Sequence, residues 1–145
     1  MWNSLAHVAV LIVVLFHFGF AIIESTLWNT AFGREVTHLK APAAEATVGI
    51  GQNMALYNGF LGLILLWGTF ALPPRQAFSL QCLLLALIII AGLVGWATMG
   101  SRSIAGFQSL PAAVALALVL IARPDPRTGA GATRAVIAGE QGSPP

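Results

Sequence analysis

The segment from Leu5 to Ile23, LAHVAVLIVVLFHFGFAII, determines the fold class, because it contains no Asp, Glu, Lys or Arg. At about 1.5 Å per residue, a helix of this length crosses the roughly 30 Å hydrocarbon core of a bilayer. Nothing basic precedes it, it is too long for the apolar region of a signal peptide, and no clean Ala-x-Ala cleavage site follows. We therefore interpret it as a retained transmembrane helix, bracketed by Trp2 and Trp28 at the membrane interfaces.

The composition of the whole chain supports the same conclusion. Of 145 residues, 57% are hydrophobic and 8% are charged, whereas soluble domains average about 25% charged residues. The net charge of +2 comes from scattered Lys and Arg. The sequence therefore contains no basic patch of the kind that indicates nucleic-acid binding. The single cysteine, Cys82, lies in an apolar run and is interpreted as a packing or lipid-facing residue. The expected surroundings are the lipid bilayer, and nucleic acid is not an expected partner.

Three further apolar runs complete the predicted architecture. Each is long enough to span a membrane, and residues 1–122 are expected to form one domain. The predicted fold is an all-α membrane protein whose four transmembrane helices form an up-and-down bundle. The spans are predicted at about residues 5–23, 48–70, 78–97 and 104–122.

The connecting segments differ in length and composition. Residues 29–47 form the one substantial loop that we predict, whereas Pro73-Pro74 indicates a tight turn. Pro111 is expected to kink the fourth helix. Residues 123–145 are rich in Pro, Gly, Ala, Thr and Arg, a composition that predicts a disordered C-terminal tail.

Four spans place both termini on one side of the membrane and residues 29–47 on the other, which we call the loop side. Four basic residues are expected on the terminal side and three on the loop side. The excess of positive charge favours cytoplasmic termini. The terminal-side residues are Arg75, Arg123, Arg127 and Arg134, and the loop-side residues are Arg34, Lys40 and Arg102.

Ionisable residues inside a span are candidates for function, because burying them in lipid is costly. His17 and Glu24 are seven residues apart, and seven steps of about 100° bring them to within about 20° of the same helix face. They lie roughly 10 Å apart along the axis. A substrate, a water molecule or an Asn side chain would therefore have to bridge them.

Polar residues of the other spans are predicted to lie in the same half of the bilayer. The second span starts on the loop side, the third ends there and the fourth starts there, whereas the opposite half of the bundle is nearly featureless. This asymmetry predicts a polar pocket in one leaflet. Its candidate residues are His17 and Glu24 in catalytic roles, and Asn53, Tyr57, Asn58, Trp96, Thr98 and Gln108 in ligand binding.

Structural explanations of these residues stay open beside the functional ones. His17 could be a packing residue with one hydrogen bond, and Glu24 could extend to the interface. Asn53 and Asn58 could form interhelical hydrogen bonds, each contributing about 1 kcal/mol to the stability of the bundle. His38, in the loop, is interpreted as a solvent residue. For a metal, the plausible ligand set is His17, Glu24 and His38, and no two of these are closely spaced, so no metal site is expected.

Three motifs resemble a family of small bacterial membrane proteins catalogued as domain of unknown function 1304. They are His17 followed by Glu24 and Leu27-Trp28, the segment Asn53-Met54-Ala55-Leu56-Tyr57-Asn58-Gly59, and Gln108 before Pro111-Ala112. The chain departs from the family pattern at Met54, where the resemblance implies Gln. The resemblance implies a multi-pass protein of a bacterial inner membrane with no assigned activity.

A fainter resemblance is to the haem-dependent styrene oxide isomerases, which contain an Ala-Leu-Asn-Gly segment. Here Ala55-Leu56-Tyr57-Asn58-Gly59 has one additional residue, and Gln52 stands near the place of the haem-ligating His. This resemblance implies haem as a cofactor. His17 could serve as its axial ligand, although no spacing requires it.

The favoured hypothesis is a pocket that binds or converts a small, fairly apolar molecule. If the protein is an enzyme, His17 and Glu24 favour acid–base isomerisation or hydrolysis, with the amides orienting the substrate. The alternatives are a haem-dependent epoxide-isomerase-like enzyme, a proton-coupled exporter with Glu24 as the coupling carboxylate, and a structural membrane subunit. A homo-oligomer is compatible with each of them. The sequence alone identifies neither the substrate nor a cofactor.

Overall fold

The computed structural model describes residues 2–99 and 102–124. These residues form helices and turns without a β-strand, as the sequence predicts. The predicted tail lies outside the described residues from position 125 onward. The elements are α1 (Trp2–Ile22), a π-helical turn (Ile23–Leu27), α2 (Ala31–Thr37), α3 (Ala41–Ala46), α4 (Val48–Ala71), α5 (Pro74–Met99), α6 (Arg102–Ile104), a second π-helical turn (Ala105–Ser109) and α7 (Leu110–Ile121).

Four continuous helical stretches are long and apolar enough to cross a membrane, which confirms the predicted fold class. The third starts four residues before the predicted position 78, because Pro74 opens it. Proline suits the first position of a helix, where its φ is already helical and an N–H is not needed. The stretches are Asn3–Leu27, Val48–Ala71, Pro74–Thr98 and Arg102–Ile121.

The four spans pack around one apolar core. α1 packs against α4 and α7, and α5 packs against the same two helices, so α1 and α5 occupy opposite corners of the bundle. Ala112 and Ala115 are fully buried on α7, and such small residues let helix backbones approach closely. The largest fully buried apolar side chains of the core are Val10, Val13, Leu65, Leu85 and Ile88.

The predicted loop at residues 29–47 contains two short helices, α2 and α3. Thr30 caps α2, since its Oγ1 accepts a 3.1 Å hydrogen bond from the Gly33 N–H. His38 ends α2 in the left-handed region, with φ of 58°. Pro42 lies in the first turn of α3, where proline is tolerated. The segment connects two spans as a loop would, but the sequence analysis did not predict its two short helices. The alanines around Pro42 are strong helix formers, which favours α3.

The apolar half of the bundle holds a buried polar pair that the sequence interpretation overlooked. Gln81 Nε2 on α5 donates a 2.9 Å hydrogen bond to Thr69 Oγ1 on α4. Thr69 in turn donates a 2.7 Å bond to the Leu65 carbonyl oxygen. Both polar side chains are buried. Each hydroxyl or amide thus finds a partner inside the protein, as it must where water is absent.

Candidate functional site

A pocket of about 520 Å³ lies at the loop-side end of the bundle. All four spans contribute to its walls, and the end of α2 with the residues after it contributes one further wall. Each span supplies at least one pair of lining residues that are four positions apart, a spacing that places them on one helix face. These pairs include Phe20 and Glu24, Met54 and Asn58, Ala91 and Gly95, and Ile104 and Gln108.

The polar centre of the pocket is a hydrogen bond between two spans. Asn58 Nδ2 on α4 donates to Glu24 Oε2 in the first π-helical turn, with a distance of 2.7 Å. Both side chains are half-buried. Among the residues that the structure describes, no Lys or Arg forms an ion pair with the Glu24 carboxylate. Within the described part of the chain, the carboxylate is therefore held by a neutral amide.

Two π-helical turns face this pocket from different spans. The first contains Glu24, and the second, at Ala105–Ser109, contains Gln108. Ser25 and Thr26 donate hydroxyl hydrogen bonds to the Ile22 carbonyl oxygen at 3.2 and 2.7 Å. Such turns are rare and occur frequently at functional sites. The side chains of Glu24 and Gln108 thus reach the pocket from widened turns.

Trp28 forms an apolar wall that is fixed in position. Its side chain is only 6% exposed, and its Nε1 donates a 3.1 Å hydrogen bond to Thr47 Oγ1. Gly51 lies directly against the indole, where a Cβ atom would fall 2.5 Å from Trp28 Cδ2. Trp28, which we predicted at the membrane interface, is therefore enclosed by protein and lines the pocket.

His17 lies deeper in the bundle than the pocket walls. Its side chain is 1% exposed, and Nδ1 lies 2.9 Å from the Val13 carbonyl oxygen. A carbonyl only accepts, so Nδ1 carries a proton in this hydrogen bond, and in that neutral tautomer Nε2 is an acceptor. Nε2 has no partner among the described residues. The Phe20 ring packs edge-on against the imidazole, with a centroid distance of 5.9 Å.

The structure brings together only some of the predicted site residues. Glu24, Asn58 and Gln108 share the pocket, and His17 does not line it. Met54 and Asn58 line the pocket. One step along a helix turns by about 100°, so the residues that directly precede them, Asn53 and Tyr57, face away from the pocket. The predicted ligand-binding residues with exposed side chains are Asn53, Tyr57, Trp96 and Thr98.

Several lining residues were not predicted from the sequence. Phe20 and Trp28 stand four residues before and after the predicted Glu24, and this spacing was the available signal. His38, interpreted as a solvent residue, also lines the pocket. Its left-handed φ is a conformation that a bare sequence pattern does not reveal.

The described residues offer few ligands for a cofactor. No group of three His, Cys, Asp or Glu residues within the described ranges could hold a metal ion. A haem bound through His17 Nε2 would require the helices around this 1% exposed ring to separate. The titratable side chains among the described lining residues are Glu24 and His38.

Comparison with known proteins places the chain in a family. No curated protein and no solved structure shows significant similarity to it. A family model described as "Protein of unknown function (DUF1304)" matches residues 11–120. The match includes all four spans wholly or in large part. The chain therefore belongs to the DUF1304 family of proteins of unknown function.

Proposed function

We propose that this membrane protein binds a small, largely apolar molecule in the loop-side pocket. The observation that carries the proposal is the Glu24–Asn58 hydrogen bond inside a mainly apolar cavity of about 520 Å³. Small-molecule sites commonly enclose about 300–1,000 Å³ and combine apolar walls with a few polar groups. The bound molecule would orient its polar end toward Glu24, Asn58 and Gln108.

Conversion of the bound molecule would depend on Glu24. A general acid or base must come within hydrogen-bond reach of the reacting proton. Glu24 lines the pocket, whereas His17 does not line it and packs against Phe20, which does. The proposal therefore assigns acid–base chemistry to Glu24 and a structural role to His17. Binding is the primary function proposed, with isomerisation or hydrolysis as the reaction classes that this carboxyl group would support.

The proposed setting is a bacterial inner membrane with both termini in the cytoplasm. Single cysteines at Glu35 and Gln76, in a Cys82→Ser background, would test the orientation. We expect a membrane-impermeant maleimide to label Glu35→Cys in cells with a permeabilised outer membrane. Gln76→Cys should react only after the inner membrane is disrupted. The reverse pattern would contradict the orientation.

Ligand binding is testable through the fluorescence of Trp28. Changing Trp2, Trp67 and Trp96 to Phe leaves Trp28 as the sole indole. Phenylalkyl alcohols of increasing chain length, titrated into the protein in lipid nanodiscs, should quench this fluorescence saturably. A chain length beyond the size of the pocket should bind more weakly.

A matched pair of substitutions on α5 separates pocket binding from partition into lipid. Ala91→Leu adds side-chain volume inside the pocket, whereas Ala97→Leu adds the same volume at an exposed position outside it. We expect Ala91→Leu to weaken binding at least about tenfold, which corresponds to about 1.4 kcal/mol. Ala97→Leu should leave binding unchanged. Equal affinities for both variants would contradict the proposed function.

A further inference from the structure

We propose that the ligand class of this pocket is a lipophilic cation, an apolar body with a single ammonium group, and that Glu24 is its counter-ion. This inference rests on the proposed function, because it names the chemistry of the molecule that the pocket would hold. It is carried by two independent features of the wall residues that the structure describes, which are a carboxylate without an ion-pair partner among them and a set of aromatic side chains.

The first feature is the charge balance of the pocket. Glu24 lies within the first span and is half-buried, and its hydrogen-bond partner Asn58 is neutral. Buried carboxylates are usually paired or neutralised, since the loss of hydration is costly. His38 lines the pocket but is exposed and makes no recorded hydrogen bond to Glu24. A ligand ammonium would supply the missing positive charge.

The second feature is the set of aromatic walls formed by Phe20, Trp28 and Phe107. The face of an aromatic ring attracts a cation, and tryptophan does so most strongly. The Trp28 ring is already held by Thr47 and Gly51. A wall fixed before binding loses little conformational entropy when the ligand arrives. The aromatic rings would thus contact both the apolar body and the charged group.

Other ligand classes fit these walls less well. An anion would be repelled by the Glu24 carboxylate, and a neutral molecule would offer it no opposite charge. Mg²⁺ and Ca²⁺ need about six or more oxygen ligands, whereas the described lining residues contribute one carboxylate and the amides of Asn58 and Gln108. The pocket is also much larger than a metal ion requires. The remaining class is an organic cation with an apolar body.

The test compares two probes of nearly identical shape. One is 4-phenylbutyl-trimethylammonium, and the other is its neutral isostere with a tert-butyl group in place of the trimethylammonium group. Both are titrated by Trp28 fluorescence into the single-tryptophan protein in nanodiscs of zwitterionic lipid. We expect the cation to bind at least about tenfold more tightly than the isostere. This ratio is measured on the protein with its pocket intact.

Glu24→Gln then removes the charge and keeps a side chain that can accept a hydrogen bond from Asn58. We expect the preference for the cation to fall to within about threefold of unity, while the affinity of the neutral probe is retained. Glu45→Gln is the matched control, because Glu45 is exposed on α3 and does not line the pocket. It should preserve the preference.

The outcomes separate this inference from the proposed function. Binding of both probes with equal affinity to the intact pocket would overturn the cation assignment and leave the proposed function standing. A cation preference that persists in Glu24→Gln would overturn the role of Glu24. Binding of neither probe nor the phenylalkyl alcohols would contradict the proposed function and this inference together. If Glu24→Gln does not fold, the ratio measured on the intact pocket still decides the cation assignment.

Discussion

Asn58 on α4 donates a 2.7 Å hydrogen bond to Glu24 in the π-helical turn that follows α1. This bond joins two adjacent spans at the point where the pocket begins. Interhelical hydrogen bonds in membrane proteins contribute about 0.6 kcal/mol on average and up to about 1.7 kcal/mol. The half-buried position of both side chains favours a contribution between the average and the maximum, about 1 kcal/mol.

A double-mutant cycle measures the contribution of this bond. We expect Glu24→Ala, Asn58→Ala and the double variant to give a coupling free energy of about 1 kcal/mol. The free energy of unfolding in mixed micelles is the quantity to compare. Glu24→Gln should retain most of the stability, because a Gln oxygen can accept from Asn58. Additive effects of the two Ala substitutions would show that the bond does not contribute.

The contact between Gly51 and Trp28 gives a second prediction. A Cβ atom at Gly51 would lie 2.5 Å from Trp28 Cδ2, so Gly51→Ala must displace the indole. We expect Gly51→Ala to lower the free energy of unfolding by about 1–3 kcal/mol and to shift the Trp28 emission maximum. Gly49→Ala is the control on the same helix, since nothing lies within 4 Å of a Cβ atom there. Similar stabilities for the two variants would contradict the packing described.

The fold was largely predictable because long apolar runs have few alternatives in a membrane. The site was only partly predictable, since it depends on which helix face points inward. Asn53 and Asn58 are both amides near the start of α4, but only Asn58 lies on the inward face with Met54. The helical period and the composition of the sequence place Asn53 and Asn58 in the same leaflet. The packing of α4 against α1 and α5 determines which of them reaches the pocket.

The buried pair of Thr69 and Gln81 gives a third prediction. Thr69→Val would leave the Gln81 Nε2 group without its recorded partner, and an unsatisfied buried donor costs about 1–3 kcal/mol. Adding Gln81→Leu removes that donor, so the double variant should recover much of the lost stability. Thermal unfolding of the single and double variants checks this expectation. A double variant that is less stable than Thr69→Val would contradict it.

The unpartnered Nε2 atom of His17 leads to the last prediction. His17→Leu removes a buried acceptor that has no partner among the described residues, and it leaves an apolar side chain of broadly similar size. The Val13 carbonyl loses the bond from Nδ1 but keeps its place in the backbone ladder of α1. We therefore expect His17→Leu to be as stable as the unmodified protein, or more stable by up to about 3 kcal/mol.

His17→Ala is the comparison that isolates packing at this position. It removes the same acceptor but leaves a cavity, so its free energy of unfolding should be about 2–5 kcal/mol lower than that of His17→Leu. Binding of the phenylalkyl alcohols should be retained in His17→Leu, because His17 does not line the pocket. A loss of stability above about 1 kcal/mol in His17→Leu would instead indicate that Nε2 has a partner in the membrane. A buried water molecule hydrogen-bonded to Nε2 would have that effect, because the substitution would leave it without the acceptor that holds it.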